Sequence, residues 1–166
     1  MRRSQDAEFE AFVRRHRAPL VGTARLLTAG DAHLAEDLVQ STLVKVYLAW
    51  GRASQHPAAY ARRTLVNCLT DHRRRPFFRR EQGAVTLPEA PVEDPAMVDP
   101  DLVAALAELP PRQRAAVVLR HVHDLSVEEV ADALNCSTGT VKSQTARGLD
   151  KLRALLTPTQ LTGDSR

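Results

Sequence analysis

Residues 126 to 153, SVEEVADALNCSTGTVKSQTARGLDKLR, carry two helical patterns that meet across three residues, each with a helix-start residue in front of it. Ser126 is a good N-cap, and Glu129 three positions later completes the spacing of a capping box, in which each side chain bonds the other's backbone amide. Val127, Val130, Ala131 and Leu134 then recur at i, i+3, i+4 and i+7, a narrow apolar stripe on a short helix. Asn135 tolerates the left-handed conformation that ends a helix. Ser137 caps the next helix, whose buried side reads Val141, Thr145, Leu149, Leu152 and Leu156. The spacing predicts a helix-turn-helix.

The other side of the second helix suits DNA. Thr140, Ser143, Gln144 and Arg147 stand at i, i+3, i+4 and i+7, with Thr138 at the helix start. Hydroxyls and a Gln amide can bond base edges, while Lys142, Arg147, Lys151 and Arg153 can neutralise phosphates. Every soluble helix has a polar face, so simple solvation is the competing explanation. The coincidence of a short capped helix, a tight turn and a hydroxyl-rich second helix favours DNA.

Hydrophobic content of 43% supports a packed interior, and an aromatic content of only 4% makes that interior Leu, Val and Ala. The apolar residues recur at helical spacing with no convincing strand, so the expected class is all-α. The formal net charge of +3 hides a strong division. Residues 57 to 80 hold seven arginines against one acid, Asp71, whereas residues 81 to 101 hold six acids and no Lys or Arg. A basic block points toward nucleic acid and an acidic one toward solvent or a basic surface. Cys68 and Cys136 lack a CxxC partner, and His121 and His123 lack a nearby Cys ligand, so neither a disulfide nor a metal nor any other cofactor is expected. No signal peptide or membrane-length apolar run is evident, which implies a cytoplasmic protein.

Along the chain, residues 6 to 28 read as a first helical region with Phe9, Phe12, Val13, Leu20, Ala24 and Leu27 inward, bent or divided at Pro19. Asp31 caps a second helix whose buried face is Ala35, Leu38, Val39, Thr42, Leu43, Val46, Tyr47 and Trp50, with Glu36, Asp37, Gln40, Ser41 and Lys45 opposite. Gly51 to Pro57 make a loop. A third helix from near Ala58 turns Ala61, Leu65, Cys68 and Leu69 inward and Arg63, Asn67, Thr70, Asp71 and Arg74 outward. Cations at its end suit the helix dipole, but so many arginines exceed what capping requires, and a phosphate-binding surface is the better reading. Pro88, Pro91, Pro95 and Pro100 among the acids mark a flexible linker. The expected organisation is a domain over 1–78, an acidic linker over 79–100, a domain over 101–158 and a frayed tail over 159–166. In the second domain, Leu102, Leu106 and Leu109 precede the Pro110-Pro111 break, and Arg112 to His121 form the helix before the helix-turn-helix, with Ala115, Val118 and Leu119 inward.

So laid out, the chain resembles an RNA polymerase sigma factor of the extracytoplasmic-function (ECF) family over nearly its whole length. AEDLVQSTLVKVY resembles the family's acidic-Leu-Val-Gln helix, HPAAYARRTLVNCLTDHRRR the helix that opens and reads the −10 element, and LPPRQRAAVVLRH with the helix-turn-helix the module that binds the −35 element. QTARGLDKLR further resembles a SigE-like group common in actinobacteria. The resemblance implies a first domain of the region 2 type and a second of the region 4 type, and a factor without catalysis of its own. Its partners would be the β and β′ subunits of core RNA polymerase, promoter DNA and, as often in the family, an anti-sigma factor. Core polymerase would dock on Glu36, Asp37, Leu38, Val39, Gln40, Ser41 and Lys45. The −10 strand would meet Tyr60, Arg62, Arg63, Asn67, Asp71, Arg73, Arg74 and Arg75, with a flipped base held near Asn67 and the Gly51–Pro57 loop. The −35 duplex would meet Thr138, Thr140, Lys142, Ser143, Gln144, Arg147 and Lys151. Asn135 stands where the family usually has Gly, and Thr145 where it usually has an apolar residue.

A helix-turn-helix regulator acting on duplex DNA without polymerase would share the second domain, but the Arg-rich first domain resembles neither a sensor nor a receiver. A recombinase-like enzyme is the remaining class. Ser41, Ser126 and Ser143 are explained by helix surfaces or caps, and neither paired carboxylates nor a Gly-rich phosphate loop appears.

Overall fold

The computed structural model describes residues 2–74 and 98–160, so most of the expected linker and the last six residues lie outside the described residues. All regular structure among the described residues is helical. Two compact units emerge, residues 1–24 with 33–97 and residues 25–32 with 98–166.

The first unit is built from α1 (Arg2–Leu27) as far as Ala24, α2 (Ala32–Leu48) from His33, the single turn α3 (Trp50–Ala53) and α4 (Pro57–Arg74). Its core is Phe12, Leu20, Val21 and Ala24 from α1, Ala35, Leu38, Val39 and Val46 from α2, Trp50 and Ala53 from α3, and Ala61, Leu65, Val66 and Leu69 from α4. Two expectations are narrowed or corrected here. Of the bend or division expected at Pro19, division does not occur, since α1 runs through it unbroken. The ring sits on an exposed face, where the carbonyl left without its i→i−4 donor can bond water instead. The segment after Ala49 is not all loop, since Trp50–Ala53 closes a helical turn that seats the indole in the core.

α1 ends in a Schellman motif. The Gly30 amide bonds the Arg25 carbonyl at 2.8 Å and the Ala29 amide the Leu26 carbonyl at 3.4 Å, with Ala29 left-handed at φ 57°.

The second unit holds α5 (Pro100–Ala107), α6 (Pro111–Val117), a π-helical turn (Val118–Val122), α7 (Val127–Leu134) and α8 (Thr138–Gln160). Pro100 and Pro111 both occupy first-turn positions, where proline's missing amide costs nothing. The helix expected to continue to His121 changes to π geometry at Val118, then leaves the helix through Asp124 at φ 53°. The core is Ala105, Leu106 and Leu109, the run Ala115 to Leu119, Val130, Ala131 and Ala133 of α7, and Val141 and Leu152 of α8.

Arg114 is buried in the middle of this unit at 8% exposure. Its guanidinium donates to the carbonyls of Leu106 (2.8 Å), Ala107 (3.3 Å) and Leu109 (3.0 Å) at the end of α5, where the Leu106 carbonyl also accepts from the Leu109 amide at 3.1 Å. A buried cation is tolerable there because it meets the negative end of a helix dipole. Burial draws its pKa down from the ordinary value.

Candidate nucleic-acid interface

The turn between α7 and α8 is set by its own side chains. The Ser126 hydroxyl accepts from the Glu129 amide at 3.0 Å, and Glu129 accepts from the Ser126 amide at 2.8 Å, which is the capping box the spacing predicts. Asn135 adopts the left-handed conformation at φ 54°, and the Cys136 amide returns to the Ala131 carbonyl at 3.0 Å. Ser137 then caps α8 by accepting from the Thr140 amide at 3.1 Å. Both helix ends are thus satisfied within the chain.

α8 presents Thr138, Lys142, Ser143, Arg147 and Lys151 as exposed residues, with Thr140 and Gln144 half-buried. Ser143 donates to the Thr140 carbonyl at 3.0 Å, and the Thr140 and Ser137 hydroxyls share a bond of 2.9 Å. These bonds are exposed, so a base edge or phosphate can replace them at little cost. Arg153 pairs with Asp150 at 3.7 Å, one turn back along the same helix.

On the buried side, Val141 and Leu152 are fully inside, whereas Thr145, Leu149 and Leu156 are only half-buried. The Thr145 hydroxyl is buried without a hydrogen-bond partner. In contrast, Thr23, Thr42, Thr64 and Thr70 each bond the carbonyl four residues back. The contact that sets the depth of α8 is one that sequence reasoning missed. Gly148 lies so close to α6 that an added Cβ would stand 2.6 Å from Val117 Cγ2 and 3.3 Å from both the Gln113 carbonyl oxygen and Leu109 Cδ2. A glycine on a helix face at i+7 from Val141 was the available signal.

In the first unit, α4 carries Arg63, Asn67, Asp71 and Arg73 as exposed residues, with Tyr60 half-buried beside them. Asp71 and Lys45 of α2 approach to 3.9 Å, both well exposed, so this ion pair contributes little to stability. Arg62 does not join that row. At 100° per residue it falls roughly 140° round α4 from Asn67, and Arg73 falls roughly 120° round, so neither is in phase with Asn67. Arg73 is exposed, whereas Arg62 has its Nε buried without a partner. Its charge instead acts on His16 of α1, whose pKa is lowered by burial first and then by Arg15 and Arg62. The Arg74 side chain and all of Arg75 lie outside the described residues.

On α2, Asp37, Gln40, Ser41 and Lys45 are exposed. Leu38 and Val39 are not, at 4% and 0%, and belong to the core, so neither can touch a docked partner directly. Glu36 is half-buried and paired with Arg17 at 2.8 Å. The exposed row of α2 continues instead through Val44 (58% exposed) and Leu48 (78%), with Tyr47 beside them. Steps of three and four from Asp37 lead along this row, to which the sequence reading did not assign Val44 or Leu48, and Tyr47, read as inward, is 46% exposed. The Tyr47 hydroxyl donates to Asp6 at 2.8 Å, a bond that raises its pKa, and its ring packs edge-on against Phe9 at 5.0 Å.

No helix among the described residues is long and apolar enough to cross a membrane. Residues 12–76 match the sigma-70 region 2 family, and residues 101–152 match the sigma-70 region 4 family. The chain is 41% identical over 151 residues to an RNA polymerase sigma-E factor of Streptomyces avermitilis, covering 88% of this chain and 83% of the relative. To the ECF RNA polymerase sigma factor SigE of Mycolicibacterium smegmatis it is 35% identical over 162 residues, covering 89% of this chain and 61% of the relative. Among solved structures, it resembles the sigma factor RpoE in complex with the anti-sigma factor NepR from Bartonella quintana. That match has a TM-score of 0.66 at 25% identity and covers 90% of this chain and 96% of that one. CnrH in complex with the cytosolic domain of CnrY is similar at a TM-score of 0.60 and 25% identity, covering 95% and 89%.

Proposed function

The chain belongs to the ECF sigma factors of the sigma-70 family, SigE-like in its sequence relatives, and we propose that its two units divide the task of promoter recognition between α4 and α8. As a sigma factor it binds core RNA polymerase and directs initiation at specific promoters. It acts by binding alone, with no chemistry of its own, in the compartment that holds polymerase and chromosome.

In this reading α8 enters the major groove of the −35 element, with Thr140, Ser143 and Gln144 on base edges and Lys142 and Arg147 on phosphates. The exposed row of α4, Asn67 with Tyr60, Arg63 and Asp71, holds the −10 strand, and the exposed Arg73 further round the helix meets its phosphates. Extruding a base from that strand costs a few kcal/mol, offset by pocket and phosphate contacts. Core polymerase docks on the exposed side of α2, through Asp37, Gln40, Ser41 and Lys45. Two modest DNA contacts on one chain combine into a firm one, because the first raises the effective concentration of the second. The solved neighbours are complexes with anti-sigma factors, and a partner of that class is proposed for this chain too.

The observation that carries the DNA assignment is the exposed polar row of α8 on a helix whose start and turn are satisfied internally. Run-off transcription with purified core polymerase on a promoter library tests it. Arg147→Ala should weaken −35 binding and leave affinity for core polymerase unchanged. Loss of core affinity instead would show that the faces have been exchanged.

A further inference from the structure

Lys151 has the residue type of a phosphate contact, and its position on α8 lies one turn beyond Arg147. Its ammonium is engaged elsewhere, donating to the Glu108 carbonyl at 2.7 Å. That carbonyl belongs to the residue closing α5, between the Leu106, Ala107 and Leu109 carbonyls that Arg114 satisfies. Four consecutive acceptors at one helix end are therefore met by two cations, Arg114 from α6 and Lys151 from α8. A helix C-terminus favours cations through its dipole as well as through its unpaired carbonyls.

The position of Lys151 along α8 adds to this. One turn earlier, Gly148 brings α8 almost onto the backbone of α6, and Leu152 beside Lys151 is buried. The glycine fixes how closely α8 approaches but supplies no directional bond. A cation three residues later, bonded to a fixed backbone carbonyl, supplies one, and it sets how far α8 can slide or roll on its neighbours.

We infer that Lys151 is a positioning residue that ties the DNA-reading helix to the end of α5, and that it makes no phosphate contact. The inference rests on α8 being the −35 element reader. It differs from the phosphate reading in a measurable way, because removing one phosphate contact lowers the slope of log Kobs against log salt by about 0.9.

The test uses holoenzyme assembled from the full chain and core polymerase, with promoter affinity measured over a range of salt and the melting temperature of the free chain measured alongside. Lys151→Gln should weaken promoter binding about threefold at every salt concentration with the slope unchanged, and lower the melting temperature by roughly 4 °C. Lys151→Arg, which keeps a cationic donor on a long stem, should recover most of both losses. A slope reduced by about 0.9, an unmoved affinity or an unmoved melting temperature would each overturn the inference. Arg147→Gln serves as the control. If that variant keeps its full slope, the DNA reading of α8 is at fault, whereas a lowered slope there means that the Lys151 result bears on Lys151 alone.

Discussion

Replacing Gly148 with alanine sets two known effects against each other, and the structure decides the sign. Alanine is favoured over glycine inside a helix by about 1 kcal/mol, so propensity alone predicts a more stable protein. At Gly148 the new methyl would lie 2.6 Å from Val117 Cγ2, well inside the 3.5–4.0 Å at which carbon atoms attract. Two further atoms lie at 3.3 Å, and one is the Gln113 carbonyl oxygen, part of the α6 backbone, which no rotamer change can move. Overpacking of this kind costs about 1–3 kcal/mol, and a backbone obstacle places it in the upper half. The net expectation is a loss of about 1–2 kcal/mol, or roughly 5–15 °C in the melting temperature of a unit this small. Gly51→Ala is the internal comparison, since a Cβ there meets nothing within 4 Å and the propensity gain should survive. Far-UV circular dichroism melts follow both variants, and the single tryptophan, Trp50, beside Gly51 in α3, reports the first unit by fluorescence. A Gly148→Ala protein that melts higher than the parent would refute the close approach of α8 to α6.

Two further outcomes are expected. Thr145→Val removes a buried hydroxyl that has no partner while keeping a β-branched shape, so it should stabilise the protein by about 1 kcal/mol in chemical denaturation; a destabilised variant would mean that the hydroxyl is bonded after all. For His16, the lowered pKa means the unfolded chain takes up its proton first as pH falls through about 6.5. The folded state therefore loses stability between that pH and the lowered folded-state pKa, and nothing from this group above it. Comparing the pH dependence of unfolding with that of His16→Gln isolates the contribution, and a parent no more acid-sensitive than the variant would count against it.

The elements that could be read from the sequence are those whose cause is local. The Ser126 capping box, the left-handed Asn135 and the stripe Val127, Val130, Ala131 and Leu134 follow from chemistry within one turn of chain. Errors arose where a distant neighbour decides. Leu38 and Val39 belong to a motif associated with docking but lie in the core, while Tyr47, read as inward, is 46% exposed and held by Phe9 and Asp6 of α1. Arg62 lies in the arginine block, but its phase sets it apart from Asn67 on α4, and its charge acts on His16 of α1. Gly148 reads as a mild weakness in a helix until α6 is set against it, and no composition signal marks Arg114 as buried among its many exposed fellows.

The burial of Arg114 bears on how the second unit meets changes of condition. A carboxylate partner would lose its charge in acid, and a surface ion pair would fade in concentrated electrolyte. Backbone carbonyls do neither, and a guanidinium keeps its proton well above neutral pH even with its pKa drawn down by burial. The clasp at the end of α5 is thus indifferent to acidity and only faintly sensitive to ionic strength. Swings in pH or ionic strength would leave the scaffold behind α8 with its shape unchanged.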